Sequence, residues 1–142
     1  MKNRYFFIPF ISLMLLCFAC SSPKYTPTDF PDAQIRFGNG GGITGAVTEY
    51  VLLENGQFFK KTSTDDNYMP LPRVKKNQIN QIFNNYNFLD LKSIDFNHPG
   101  NMYQFIEFKN KDSNHKITWG SNDQKPNNSV EVFYSTLKAI IK

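Results

Sequence analysis

The sequence predicts an α+β fold, in which an antiparallel sheet of about five strands in two hairpins carries two amphipathic helices on one face. Three observations support this prediction. Apolar residues alternate with polar ones through 33–37 and, imperfectly, through 102–109, as in strands with a buried face. Two segments, 74–86 and 128–141, instead place apolar residues at the helical period. The dipeptide Asn55-Gly56 lies between two apolar runs, which favours a tight hairpin.

Three strands are predicted before the first helix. Residues 33–37 alternate cleanly, residues 44–54 are rich in Val, Tyr, Thr and Leu, and residues 57–64 return after the hairpin turn. Residues 64–72 contain two prolines and an Asp-Asp-Asn run, which predict a loop.

The second half of the domain adds two strands and two helices. The first helix is predicted over 74–86, where the polar residues fill one face. The segment 102–109 alternates imperfectly, which indicates a central strand covered on both faces or one with a wet edge, and 115–119 is the second arm of its hairpin. Asn128 with Glu131 three residues later predicts a capping box at the start of the closing helix.

The N-terminal sequence is typical of an export signal. A short basic region precedes the apolar run 5–19, which is shorter than the roughly 20 apolar residues of a membrane span. The run ends in Ala19-Cys20, which resembles the lipobox of bacterial lipoproteins. That resemblance implies cleavage before Cys20 and acylation of its sulfur, although Cys17 stands where the family usually has Leu. An ordinary cleaved signal or a lone membrane anchor is the alternative.

This interpretation divides the chain into a signal peptide (1–19), a lipid-anchored tether (20–32) and one α+β domain (33–142). The mature chain then has no free thiol, which excludes disulfides and cysteine-ligated metals. The formal charge is +4 at pH 7, and two of the basic residues belong to the signal peptide. So small an excess of positive charge does not indicate a nucleic-acid-binding surface, and we expect no nucleic-acid partner.

We call the segment 38–47, GNGGGITGAV, the glycine string. Its residues Gly40–Val47 match G-x-G-x-x-G-x-V, a motif of phosphate-binding loops. A dinucleotide fingerprint needs a helix after the glycines, but the segment that follows is a predicted strand. A kinase needs a V-A-I-K lysine, His-Arg-Asp and Asp-Phe-Gly, and none of these occurs. We therefore interpret the string as a glycine-rich connection between two strands and expect no cofactor. Gly40, Gly41 and Gly42 remain candidates for binding a partner through exposed backbone groups.

Three further residues are candidates for a binding site. His98 and Asn101 flank a tight Pro-Gly turn, where they either contribute to a site or satisfy the backbone of the turn. Trp119 is either a core residue or a recognition surface. A metal site would need His98, His115 and carboxylates together, and no nucleophile elbow accompanies any serine, so we predict neither a metal nor a catalytic triad.

A wider resemblance covers nearly the whole mature chain. The stretches IRFGNGGGITGAVTEYVLLENG (35–56), FNHPGNMYQFIEF (96–108) and HKITWG (115–120), followed by a closing helix, resemble a family of small uncharacterised bacterial lipoproteins. The resemblance implies a lipid-anchored envelope protein and brings no activity with it.

These observations favour a non-enzymatic binding module of the bacterial cell envelope. It would be attached through Cys20, with the outer membrane as the expected site and display on the periplasmic or surface side left open. The expected partner is an envelope protein, a peptide or a glycan. The alternative is a small periplasmic enzyme or enzyme inhibitor that uses the glycine-rich loop, His98 and Trp119.

The lipidation prediction can be checked on the protein purified from membranes. We expect mass spectrometry to find a mature N-terminus at acylated Cys20, because the residues before it fit a lipoprotein leader. A mature chain that begins at any other residue, or a Cys20 without acyl groups, would contradict it.

Overall fold

Seven strands form one sheet in the computed structural model, which describes residues 23–141. The strands are β1 (Gln34–Gly41), β2 (Ala46–Leu53), β3 (Phe58–Thr62), β4 (Met69–Leu71), β5 (Asn97–His98), β6 (Met102–Asn110) and β7 (Ser113–Trp119). The helices are α1 (Lys76–Phe88) and α2 (Asn128–Lys138), with a short 3-10 helix at Leu91–Ser93. The spatial order is β4-β3-β2-β1-β6-β7-β5, and all neighbours are antiparallel except β5 and β7.

The fold is α+β overall, but the predicted all-antiparallel sheet of about five strands is wrong. The two added strands, β4 and β5, have only 3 and 2 residues, which is too short for a periodic signal. Pro70 lies within β4 and Pro99 directly follows β5, so both segments read as loop or turn. After α1 the chain reaches the far edge of the sheet, where β5 runs parallel to β7 before the chain turns back into β6.

The glycine string belongs mainly to the central strand, so its interpretation as a connection is wrong for Gly38 to Gly41. All eight residues of β1 pair with β2 on one side and with β6 on the other. The true connection is the four-residue turn 42–45. Gly40 faces Tyr103 across the β1–β6 pair, where the absence of a side chain leaves room for the tyrosine ring, and at Gly38 the Thr48 carbonyl of β2 occupies that space.

The main core lies between the sheet and the two helices, which pack on the same face. From the sheet come Ile35, Phe37, Leu52, Phe58, Ile106, Ile117 and Trp119; from the helices come Ile79, Ile82, Tyr86, Val130, Phe133, Tyr134 and Leu137. The cap of α2 differs from the prediction, because Asn127 rather than Asn128 accepts a hydrogen bond from the backbone N–H of Ser129, at 3.0 Å.

The opposite face of the sheet is partly covered by the N-terminal segment, residues 23–32. Phe30 packs against Phe59 with ring centroids 5.0 Å apart, over a second buried cluster that also contains Val51 and Leu53. The backbone N–H of Tyr25 donates to Gln57 Oε1 at 2.7 Å, and the Gln57 amide donates back to the Tyr25 carbonyl. From residue 23 onwards, the segment expected to be a tether therefore lies against the domain.

The expected signal peptide and Cys20 lie outside the described residues. Between residues 23 and 141, no helix combines the length and apolar character that crossing a membrane would need.

Replacing Gly38 by alanine should destabilise the fold more than the same change at Gly45. A methyl group at Gly38 would overlap the Thr48 carbonyl oxygen in the β1–β2 pair, and such overpacking typically costs about 2–3 kcal/mol. Gly45 has φ of +62° with open space around it, so Gly45→Ala should cost only about 1 kcal/mol. Urea unfolding of both variants gives the comparison. An equal or smaller loss for Gly38→Ala would contradict the close packing of β1 on β2.

Candidate functional site

The residues predicted as a binding site meet at one end of the sheet, where β1 ends and β6 begins. The Gly42 N–H donates to the Asn101 carbonyl at 2.7 Å, which joins the β1–β2 turn to the segment before β6. His98 pairs in register with Trp119, and the His98 carbonyl accepts from the Ser121 N–H at 3.1 Å. We call this region the glycine end.

Backbone packs directly on backbone at the glycine end. A side chain at Gly41 would overlap the Asn101 carbonyl, and one at Gly120 would overlap the Met102 carbonyl. The contacts of His98 and Asn101 with neighbouring segments use their carbonyls. His98 and Asn101 therefore join neighbouring segments through their main chains, whereas the turn interpretation expects their side chains to satisfy the backbone of the turn.

A row of side chains crosses six strands on the helix-facing side of the glycine end. Each member is the register partner of the next, so all point to the same face. The row consists of Thr62, Thr48, Asn39, Gln104, Trp119 and His98. We call it the polar shelf.

The polar shelf lies at helix-facing positions of the strands, the positions that hold apolar side chains under the helices. On β1, Asn39 is the next helix-facing residue after Phe37. On β6, Gln104 is the helix-facing residue before Ile106. Phe37 and Ile106 lie under the helices and are buried, whereas Asn39 is exposed and Gln104 is half-buried. The shelf thus begins where the helix layer ends.

An open groove of about 470 Å³ lies over the middle of the polar shelf. The residues that line it are Asn39, Met102, Tyr103, Gln104, Trp119, Gly120, Tyr134 and Lys138. The two carboxamides offer a donor and an acceptor each, and the Lys138 ammonium adds a positive charge. These groups can bind the hydrogen-bonding edge of a polar ligand.

Aromatic side chains form the floor of the groove. Trp119 is 7% exposed and meets the Tyr134 ring edge-on, with centroids 5.0 Å apart. The Tyr134 hydroxyl donates to the Gly38 carbonyl at 3.0 Å, and burial raises the pKa of Tyr134 to about 12. Lys138 Nζ lies 5.2 Å from the centre of the Tyr134 ring. Trp119 is therefore a core residue whose edge borders the groove.

The two histidines lie apart. His115 precedes Trp119 by four residues on β7, whereas His98 is level with Trp119, which separates their backbones by about 13 Å. His115 lies 2.9 Å from the Tyr86 hydroxyl through Nδ1 and 2.9 Å from the Ile94 carbonyl through Nε2. Because a carbonyl can only accept, Nε2 carries the proton and Nδ1 accepts from Tyr86. Both contacts tie β7 to the helix layer.

No clustered metal ligands accompany the histidines. Within residues 23–141, no group of three or more His, Cys, Asp or Glu side chains could hold a metal ion. The ring of His98 instead packs against Phe96, with centroids 4.6 Å apart.

A charged cluster occupies the other face of the sheet. Arg36 Nη1 lies 3.2 Å from Glu49 Oε1, and the Tyr68 hydroxyl donates to the same oxygen at 2.6 Å. Burial, followed by the hydrogen bond to Glu49, raises the pKa of Tyr68 to about 12. The cluster holds Tyr68 against Phe30 and has a structural role.

The site predicted from the sequence includes one residue that lines the groove, Trp119, and omits others, among them Asn39, Gln104, Tyr134 and Lys138. A signal exists for the two amides, because polar residues stand in the apolar phase of neighbouring strands. No local signal exists for Tyr134 and Lys138, because the position of α2 over the sheet is set by packing across the chain.

Comparison with known proteins gives no family for this chain. No protein-family model matches it, and a search of the curated proteins finds no match.

Tyr134→Phe should lower the free energy of unfolding by about 1 kcal/mol, because it removes the hydrogen bond to the Gly38 carbonyl while keeping the ring. The same variant should be less sensitive to alkaline pH. Below pH 10, tyrosine is neutral in both states; between pH 10 and about 12 it ionises when unfolded but stays neutral in the fold, so wild-type stability falls there. Urea unfolding from pH 8 to 12 checks both effects, with Tyr103→Phe as the control. An unchanged stability and an unchanged pH profile would contradict the role of this hydroxyl.

Proposed function

We propose that this chain is a lipid-anchored, non-enzymatic binding module of the bacterial envelope and that the polar shelf is its recognition surface. The Ala19-Cys20 leader pattern supports the anchor, and the resemblance to small bacterial lipoproteins supports an outer-membrane position. The expected ligand is an envelope protein, a peptide or a glycan.

The observation that carries the binding role is the change from apolar to polar residues at the end of the helix layer. The helix-facing side chains of β1 and β6 change from apolar residues to the amides Asn39 and Gln104. Both amides border an open groove. Burying such amides without partners would destabilise the fold, whereas water in the groove satisfies them until a ligand replaces it. A groove with several convergent polar groups over an aromatic floor suits ligand recognition.

The arrangement of the charged groups weighs against the enzyme alternative. A histidine base is often oriented by a carboxylate within hydrogen-bond reach. Among the residues from 23 to 141, the ion pair found joins Arg36 to Glu49, and no carboxylate pairs with the His98 ring. The Asp65 carboxylate, which accepts from the Thr62 hydroxyl of the shelf, lies on the β3 side, and five strand spacings, or about 24 Å, separate β3 from β5.

Envelope fractions from the native host provide the test of the shelf. Full-length protein is applied separately to immobilised sacculi and to solubilised envelope proteins, and the retained fraction is measured. We expect Asn39→Ala with Gln104→Ala to lower the apparent affinity about tenfold, because two hydrogen bonds worth about 0.5–1.5 kcal/mol each are lost.

The matched control is Gln81→Ala with Asn84→Ala, which removes two exposed amides from α1. It should bind like the wild type. Equal retention of the shelf variant and the control by both fractions would contradict the proposed recognition surface.

A further inference from the structure

Two exposed apolar side chains lie at the β1–β2 turn. Ile43 is fully exposed, and Met102 beside the turn is 58% exposed. A Cβ atom at Gly42 would lie 3.3 Å from the Met102 sulfur, so the turn and this side chain are neighbours. We call Ile43 and Met102 the apolar tip. Met102 also lines the groove, which makes the tip continuous with the polar shelf.

The apolar tip lies at the opposite end of the sheet from the N-terminal segment. Asn55 Nδ2 donates to the Pro23 carbonyl at 2.7 Å, which places Pro23 beside the β2–β3 turn. The strand β2 runs from that turn to the glycine end over 8 residues, a length of about 25 Å. Cys20 precedes Pro23 by three residues, which can span at most about 11 Å. A membrane that holds Cys20 is therefore at the far end of the domain from Ile43 while the N-terminal segment stays docked.

We propose that the apolar tip inserts into an apolar pocket of a protein partner on the side of the module that faces away from its own membrane. This inference rests on the proposed function and names the class of partner. An aliphatic side chain and a thioether have no hydrogen bond to give to a glycan, whereas an apolar protein pocket removes their surface from water.

The neighbouring groups suit the same partner. Residues 42–45 form a turn around Ile43, and Thr44 beside it is exposed. The partner's backbone and polar side chains can then reach Asn39 and Gln104 on the polar shelf. An apolar anchor with a polar border is the usual composition of a protein–protein contact.

The test is photo-cross-linking of the full-length protein in the cells that make it. A photoreactive phenylalanine derivative replaces Thr44 at the tip, and in a second strain it replaces the exposed Glu54 at the opposite end. We expect one protein adduct of defined mass from position 44 and none of that mass from position 54. Ile43→Ser should reduce the adduct about tenfold, because burial of the isoleucine is lost.

Val132→Ser is the matched control, since Val132 is another exposed branched residue and lies on α2. It should leave the adduct unchanged. The protein identified by mass spectrometry is then purified and titrated with wild type, Ile43→Ser and Val132→Ser, and only Ile43→Ser should weaken binding. An adduct with lipid, glycan or a second copy of this chain would overturn the proposal. So would the absence of an adduct, or an equal one from Ile43→Ser.

The two proposals fail separately. If the Asn39/Gln104 variant loses retention but Ile43→Ser leaves the adduct intact, the shelf stands and the protein-docking tip is wrong. If the adduct depends on Ile43 while the shelf variant binds like its control, the tip stands and the shelf is wrong.

Discussion

Main-chain hydrogen bonds on both edges of β1, over its full length, set the position of almost everything else in the domain. One face of this strand presents Ile35 and Phe37 to the helices. Its other face carries Gly38 and Gly40, which let the β2 backbone and the Tyr103 ring of β6 approach closely. Because both neighbours must stay in register to the last residue, the ends of β1, β6 and β7 are brought together, and the glycine end is formed there.

The position of the polar shelf, the proposed binding surface, depends on where the helix layer stops. α2 covers the sheet as far as Tyr134, whose hydroxyl reaches the Gly38 carbonyl across 96 residues of sequence. Beyond that contact the inward-facing positions of β1, β2, β3 and β6 are at least partly exposed and hold amides and hydroxyls in place of aliphatic side chains. The same hydrogen bond therefore closes the core and marks the inner border of the groove.

The periodic elements could be predicted from the sequence, whereas the parts made by contacts across the chain could not. β2, β3, β6, β7 and both helices lie within about three residues of their predicted ranges. In β1 the alternating signal stops at Phe37, since glycine has no side chain to alternate, so the rest of the strand has the pattern of a connection. Trp119 and His98 were recognised separately, but only the parallel pairing of β5 with β7 places them side by side.

Native-state hydrogen exchange tests most directly whether the glycine string is part of a paired central strand. The amides of 38–41 should exchange with free energies close to that of global unfolding, as buried strand amides do, while those of Ile43 and Thr44 exchange freely. Amides at 38–41 that exchange as fast as those of the turn would show that this segment is a loose connection. The glycine end, the polar shelf and the apolar tip would then lose the framework that holds them together.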